Sequence, residues 1–221
     1  RQGLTLCDAT SAIFAQRIDF SKIDALTYSW QKVLGGEAAH GMLILSPRAF
    51  ERLESYEPSW PSPKTMRLKD KGKILRDMFD GVTINTPSML CVEDYADALT
   101  WAEGLGGLDA LIARADRNAA VIYDWAATTN WLVPLPADPQ PRSNTSVCLK
   151  FADPDIAAKG EDASGRFVAD LTAMLEAENA AFDIATYRGV PHGLRVWTGA
   201  TVERSDLECL TGWLDWAHGE V

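Results

Sequence analysis

The sequence predicts an α/β fold, in which a larger α/β domain is followed by a smaller α+β domain. Short apolar segments alternate with helix-like segments in the first part of the chain, which is typical of a sheet covered by helices. An uninterrupted helical pattern then runs over 108–128, and a proline-rich segment follows over 131–141. We therefore predict one domain at 1–130, which includes the linking helix, and a second at 131–221.

Three short apolar segments, at 4–7, 25–28 and 41–45, are predicted to be buried strands. Pro47 suits the first turn of a helix, which we expect to end near Leu53. Residues 56–73 are rich in proline and charge, so they predict an exposed excursion with little regular structure. Thr86-Pro87 predicts the next helix start, because threonine can cap free helix amides and proline suits the first helical position.

The smaller domain is predicted from strands at 146–151 and 194–198 and from two helices. The first helix has an apolar face made of Phe167, Val168, Leu171, Met174 and Leu175. Ser205 and Glu208 have the spacing of a capping box for the last helix. The apolar stripe of that helix consists of Leu207, Leu210, Leu214 and Ala217. In the strand at 194–198, alternation with period two puts Arg195 on the face opposite Leu194 and Val196.

Composition excludes several classes of protein. Hydrophobic residues make up 47% and charged residues 24%, as in ordinary globular proteins, and the net charge of -10 argues against a nucleic-acid partner. No signal peptide or bilayer-spanning run is visible, so we expect a cytoplasmic protein with no membrane partner. The four cysteines form no CxxC pair, which predicts reduced core thiols and no metal site.

Two chemically reactive side chains follow strands of the predicted sheet. Asp8 ends the first strand, and Lys32 follows the second in the run Ser29-Trp30-Gln31-Lys32-Val33-Leu34-Gly35-Gly36-Glu37. Ligands bind beside the carboxyl ends of strands in open α/β sheets. A lysine there can form a Schiff base, and a pyridoxal ring beside it needs a carboxylate to keep its nitrogen protonated. Spacing alone leaves a second interpretation open, in which Asp8 only forms a turn and Lys32 is a solvated loop residue.

The predicted helix start at Thr86 offers an anion site through its free amides and the helix dipole. Asn85, Thr86, Ser29 and Gln31 add neutral donors that suit a cofactor phosphate. The chain has no GxxxxGK[ST] run, so a P-loop nucleotide hydrolase is not predicted.

The order and spacing of three segments resemble the phosphoserine aminotransferase family, which belongs to the class V, fold-type-I pyridoxal-phosphate enzymes. The segments are Asp8-Ala9-Thr10-Ser11-Ala12, the lysine run, and Thr83-Ile84-Asn85-Thr86-Pro87-Ser88. The resemblance implies amino transfer between glutamate and 3-phosphohydroxypyruvate in serine biosynthesis, with pyridoxal 5'-phosphate as cofactor. It also implies that the chain is the C-terminal part of the large domain followed by the small domain, a fragment expected to be inactive alone.

The same resemblance implies roles for five residues of the first domain. Lys32 resembles the lysine that forms the Schiff base and moves the α-proton, and Asp8 resembles the partner of the pyridinium nitrogen. Gln31 is similar to the residue that binds the cofactor phosphate in its own subunit. Asn85 and Thr86 resemble the pair that reaches the phosphate in the neighbouring subunit, which implies a homodimer with shared sites.

In the second domain, Arg195 resembles the arginine that clamps the substrate α-carboxylate. Arg188 is similar to the arginine of a His-Arg pair near the substrate phosphate, although Tyr187 stands where the histidine is common. His40 and His192 are candidates for supporting or purely structural roles, and Trp30 is expected to pack. Two alternatives stay open: another class V enzyme, such as an alanine–glyoxylate aminotransferase or a cysteine desulfurase, and an inactive structural fragment.

Overall fold

The computed structural model describes residues 2–221, which form two compact units. The first unit extends to Ile13 and resumes over 17–101, whereas the second contains 14–16 and 102–221. No helix within residues 2–221 is both long and apolar enough to span a bilayer.

A three-stranded sheet organises the first unit. Its strands are β1 (Leu6–Asp8), β2 (Ala25–Ser29) and β3 (Gly41–Leu45), in the order β1-β2-β3. β1 pairs with β2 in parallel, whereas β2 and β3 are antiparallel. The first strand begins later than the predicted residue 4, because the N–H of Thr5 donates to the carboxylate of Asp24 at 2.8 Å.

The remainder of the first unit is mostly helical or irregular. Helix α1 (Pro47–Ser55) is capped by the Ser46 hydroxyl, which accepts a hydrogen bond from the Ala49 N–H. The predicted excursion contains only 3-10 turns and a small ladder of β4 (Lys69–Asp70) and β5 (Lys73–Ile74) before α2 (Met89–Gly104).

The predicted helix start at Thr86 is wrong, because α2 begins at Met89. Its first hydrogen bond runs from the Val92 N–H to the Ser88 carbonyl at 3.2 Å, which puts Ser88 at the capping position. Ser88 thus takes the capping position that we predicted for Thr86, and Thr86 and Pro87 precede the helix. The anion site that we predicted from helix amides at Thr86 is therefore not formed by this helix.

The second unit packs helices on an antiparallel sheet. The sheet consists of β6 (Leu132–Pro134), β7 (Ser146–Phe151) and β8 (Gly193–Trp197), in that order. The helices are α3 (Gly107–Ala126), α4 (Pro154–Ala157), α5 (Glu161–Ala177) and α6 (Arg204–Glu220). All four residues of the predicted α6 stripe are buried, as are Phe167, Val168, Leu171 and Leu175 of α5.

The division in the structure differs from the predicted domain boundary after residue 130, because α3 belongs to the second unit. Ala119, Ile122 and Ala126 of α3 are part of the same buried cluster as the strands β6–β8. The Asn118 amide also donates to the carbonyls of Gly199 and Val202, at 3.2 and 2.8 Å. This helix is therefore a component of the second core.

Two further expectations are corrected. Helix α6 begins at Arg204, and the Glu208 carboxylate accepts from Arg204 at 2.7 Å, so Ser205 and Glu208 form no capping box. All four cysteines are free, but only Cys91 is buried, and Cys209 is exposed on α6, outside the apolar stripe. The expectation of a core thiol is thus wrong for Cys209.

We predict that Asp24→Ala lowers the free energy of unfolding by about 1 to 3 kcal/mol, because a buried hydrogen-bonded carboxylate is lost and its donors are left unpaired. Asp24 is 4% exposed and also accepts from the Ser46 hydroxyl at 3.2 Å. Urea unfolding measures the change. Asp94→Ala, at an exposed position of α2, is the control and should differ little from the parent chain; equal stabilities of the two variants would contradict the prediction.

Candidate active site

The parallel pairing of β1 and β2 puts Asp8 and Lys32 at the same edge of the first sheet. Asp8 lies opposite Thr27, and the Ala9 N–H donates to the Thr27 carbonyl at 2.8 Å. Lys32 follows Ser29, the last residue of β2. Because both strands run in the same direction, their carboxyl ends meet where a ligand would bind.

Asp8 is exposed and ionised. The Thr10 hydroxyl and the Thr10 N–H donate to its Oδ1 at 2.6 and 3.0 Å. These two hydrogen bonds, the hydroxyl first, lower the pKa of Asp8 against a small opposing effect of burial. Sequence reasoning missed Thr10 as a functional residue, although the Asp-x-Thr spacing is a known signal for this local turn.

A tight turn carries Lys32. The Gly35 N–H donates to the Lys32 carbonyl and the Gly36 N–H to the Trp30 carbonyl, both at 3.0 Å. Gly35 has a φ of +67°, a backbone conformation that is unfavourable for residues with a Cβ. A Cβ on Gly36 would lie 3.3 Å from both the Cβ and the carbonyl oxygen of Trp30. The glycine pair therefore allows the close turn that presents the half-buried lysine.

Three stacked rings support this turn from one side. The Trp30 ring lies 4.2 Å from that of Tyr95 and 4.6 Å from that of His40, between centroids. The Tyr95 hydroxyl is 3.3 Å from that of Tyr28, and burial, followed by this contact, raises the pKa of Tyr95. Trp30 is 8% exposed and packs as expected, and His40 is one of the rings that hold it.

The candidate phosphate donors are only partly available. The Ser29 hydroxyl donates to the His40 carbonyl at 2.8 Å, so it is already used inside the protein. Gln31, Asn85 and Thr86 are exposed. Asn85 and Thr86 belong to the first unit, together with Asp8 and Lys32.

Arg195 and Arg188 belong to the second unit. Arg195 lies on β8, opposite Cys148, and its side chain is only 13% exposed. Its Nη2 donates to the Asp183 carboxylate at 3.1 Å, and the guanidinium carbon lies 4.3 Å from the Tyr187 ring centroid. Neither contact could be predicted from the sequence, because each joins Arg195 to a separate segment. Arg188 is exposed.

His192 has a structural position. Its ring is 45% exposed and lies 4.0 Å from the Glu161 carboxylate, and a Cβ on Gly165 would collide with it at 2.9 Å. Among residues 2–221, no group of three or more histidine, cysteine or acidic side chains is arranged to hold a metal ion.

Three comparisons with known proteins bear on this site. No family model matches the chain. A phosphoserine aminotransferase from Methanosarcina mazei is 54% identical over 221 residues, which are 100% of this chain and 57% of that protein. The chain thus spans about half the length of the curated relatives it matches.

Solved structures share the fold. A phosphoserine aminotransferase from Bacillus circulans subsp. alkalophilus superimposes with a TM-score of 0.75 at 19% identity, over 100% of this chain and 54% of that chain. A PLP-bound phosphoserine aminotransferase from Trichomonas vaginalis gives a TM-score of 0.71 at 18% identity, over 97% of this chain and 54% of that chain.

We predict that Thr10→Val raises the pKa of Asp8, because both the hydroxyl and the geometry that aligns the amide contribute to stabilising the carboxylate. The folded pKa of Asp8 lies below its unfolded value, so this contribution to stability is present above the unfolded pKa. It is lost as the pH falls through the folded pKa. A titration of the carboxyl ¹³C signals by NMR measures the shift.

Ser21→Ala is the matched control, because the Ser21 hydroxyl donates to the Asp19 carboxylate at 2.5 Å and lowers the pKa of that residue in the same way. It should raise the pKa of Asp19 and leave Asp8 unchanged. An unchanged Asp8 pKa in Thr10→Val would show that these hydrogen bonds do not govern its ionisation.

Sequence similarity and fold similarity both relate the chain to phosphoserine aminotransferases. The relative from M. mazei matches every residue of this chain, and solved phosphoserine aminotransferases share its fold throughout. The predicted α/β fold class and the family resemblance are thereby confirmed. Over its whole length, the chain is homologous to part of the phosphoserine aminotransferases.

Proposed function

We propose that this chain carries part of the active site of an enzyme that transfers an amino group from glutamate to 3-phosphohydroxypyruvate, giving phosphoserine and 2-oxoglutarate. The cofactor is pyridoxal 5'-phosphate. The observation that carries this proposal is the position of Asp8 and Lys32 at one sheet edge, in a chain with full-length similarity to phosphoserine aminotransferases.

The residues present fit that cofactor. Asp8 is held as a carboxylate by Thr10, and such a group can keep a pyridinium nitrogen protonated. Lys32 is half-buried on a turn closed by two backbone hydrogen bonds, so its amine starts from a fixed backbone position. Gln31 is next to it and would bind the phosphate. Pyridoxal phosphate, when bound, supplies an electron sink for the carbanion that is left when the substrate α-proton departs.

Four residues of the chain then have defined tasks. The Lys32 amine would hold the cofactor covalently, and the amine of the incoming amino acid would displace it. The freed Lys32 amine would then take the substrate α-proton and give it back to the cofactor carbon. Asp8 keeps the proton on the ring nitrogen. Arg195 binds the substrate α-carboxylate with its planar guanidinium, and the exposed Arg188 would contribute positive charge toward the substrate phosphate.

The proposal includes a homodimer. Asn85 and Thr86 are exposed in the first unit, where their side chains are accessible to a second subunit. We propose that they donate to the cofactor phosphate of that subunit, without the helix amides that the sequence suggested. Neutral donors of this kind orient a phosphate, and its charge must then be balanced by other groups.

The alternative of a cysteine desulfurase is not favoured. Such an enzyme needs a reactive cysteine on a mobile, accessible segment. The four cysteines lie within regular elements: Cys7 in β1, Cys91 in α2, Cys148 in β7 and Cys209 in α6.

We predict that Lys32→Ala in the full-length protein abolishes the covalent attachment of cofactor by borohydride, since this reduction fixes pyridoxal phosphate to the amine that holds it. Mass spectrometry of the reduced protein measures the attachment. Lys22→Ala is the control, because Lys22 is an exposed lysine of the same unit that pairs with Asp19. Attachment that persists at another lysine would contradict the assignment.

We further predict that phosphoserine is a much better amino donor than alanine in the reverse direction, when 2-oxoglutarate is the acceptor. A substrate without the phosphate leaves the polar groups of a phosphate site unpaired. Its kcat/KM is then expected to be lower by several orders of magnitude. Comparing kcat/KM for the two donors tests this. A preference for alanine would instead support an alanine–glyoxylate type of aminotransferase.

The isolated chain provides a separate test of the structural-fragment alternative. If 221 residues alone gain no covalently bound cofactor on reduction while the full-length protein does, the chain is inactive by itself and the enzyme needs the rest of its sequence.

A further inference from the structure

The guanidinium of Arg195 is only half paired along one of its edges. Its Nη2 donates to the carboxylate of Asp183 at 3.1 Å and to the carbonyl of the same residue at 3.3 Å. The neighbouring Nε is buried and has no hydrogen-bond partner within residues 2–221. A carboxylate pairs best with arginine through two parallel hydrogen bonds. The edge with Nε and Nη2 has both donors for such a pair, but Asp183 uses only Nη2.

Asp183 is easily displaced from this position. Its side chain is 91% exposed, so its carboxylate can return to water at little cost. Ion pairs with a strongly exposed partner are weak. Asp183 also has a left-handed backbone, with a φ of +53°, which points to a local turn and not to a regular strand. Asp183 is therefore a weakly held partner of Arg195 that another carboxylate can replace.

The ring of Tyr187 packs on the face of the guanidinium. The Arg195 guanidinium carbon lies 4.3 Å from the centroid of the Tyr187 ring, within the range of a cation–π contact. Because this contact uses the face of the guanidinium, it leaves the edge with Nε and Nη2 available to a carboxylate in the same plane.

We propose that Asp183 occupies the carboxylate position on Arg195 when no substrate is bound, and that the substrate α-carboxylate displaces it and gains Nε as a second donor. Tyr187 is a positioning residue that keeps the guanidinium plane during this exchange. The inference rests on the proposed function, because it takes Arg195 as the residue that binds the substrate carboxylate. Asp183 thereby makes the apparent affinity for every carboxylate substrate lower than the arginine alone would give.

The first test is Asp183→Asn in the full-length holoenzyme. Removing the competing charge should lower the KM for glutamate and the Kd of 2-oxoglutarate, measured by calorimetry, by about two- to fivefold, which is the range of exposed ion pairs. The kcat should stay unchanged, because Asp183 does not touch the reacting atoms. The control is Asp170→Asn, which removes one charge from an exposed position of α5 and should change neither constant.

A second pair of variants tests Tyr187. Tyr187→Leu removes the aromatic face and should weaken 2-oxoglutarate binding by about two- to fivefold, whereas Tyr187→Phe keeps the face and should bind like the parent. A loss in Tyr187→Phe equal to that in Tyr187→Leu would overturn the positioning role. Unchanged or weaker binding of carboxylates in Asp183→Asn would overturn the displacement.

The two proposals fail in distinguishable ways. If cofactor attaches to Lys32 and amino transfer proceeds but Asp183→Asn leaves carboxylate binding unchanged, only the displacement is wrong. If the parent holoenzyme neither binds 2-oxoglutarate nor transfers an amino group from phosphoserine to it, the proposed function is wrong and the displacement falls with it.

Discussion

The buried carboxylate of Asp24 is the constraint on which the geometry of the first unit depends. It accepts hydrogen bonds from the N–H of Thr5 and the hydroxyl of Ser46, and it pairs with Arg48 at 3.4 Å. These donors come from the segment before β1 and from the start of α1, while Asp24 itself directly precedes β2. One side chain thus sets where the two parallel strands begin relative to each other. Their carboxyl ends, and with them Asp8 and Lys32, follow from that register.

The sequence predicted best those features that depend on local pattern. The strands at 41–45 and 146–151 have the predicted bounds, because each is an apolar run between residues that interrupt it. The predicted burial of the first of these strands is wrong, since residues 41–44 are exposed. The placement of Asp8 and Lys32 at a common edge also followed, since it needs only the direction of two strands. Thr86 failed as a helix start because Ser88, two residues later, is an equally good capping residue, and the capping position lies there.

Features that depend on tertiary contacts could not be predicted. Helix α3 has the length and pattern of a linker, and only its packing with α6 and β7 assigns it to the second unit. The pairing of Arg195 with Asp183 joins a strand to a turn, and the sequence contains no spacing rule for such a contact. Thr10 is an intermediate case, because its hydrogen bonds to Asp8 are local but its importance appears only when the aspartate is assigned a chemical role.

The three aspartates differ in what satisfies their charge, and this difference separates their roles. Asp24 is buried and is paired with Arg48 as well as neutral donors, so it holds structure and has no charge left for a ligand. Asp183 is paired with a cation at the surface, so another carboxylate can take its place. Asp8 is stabilised by a hydroxyl and an amide, both neutral. Its negative charge therefore remains available to a cationic ring nitrogen, which an aspartate already paired with a lysine or arginine could attract only weakly.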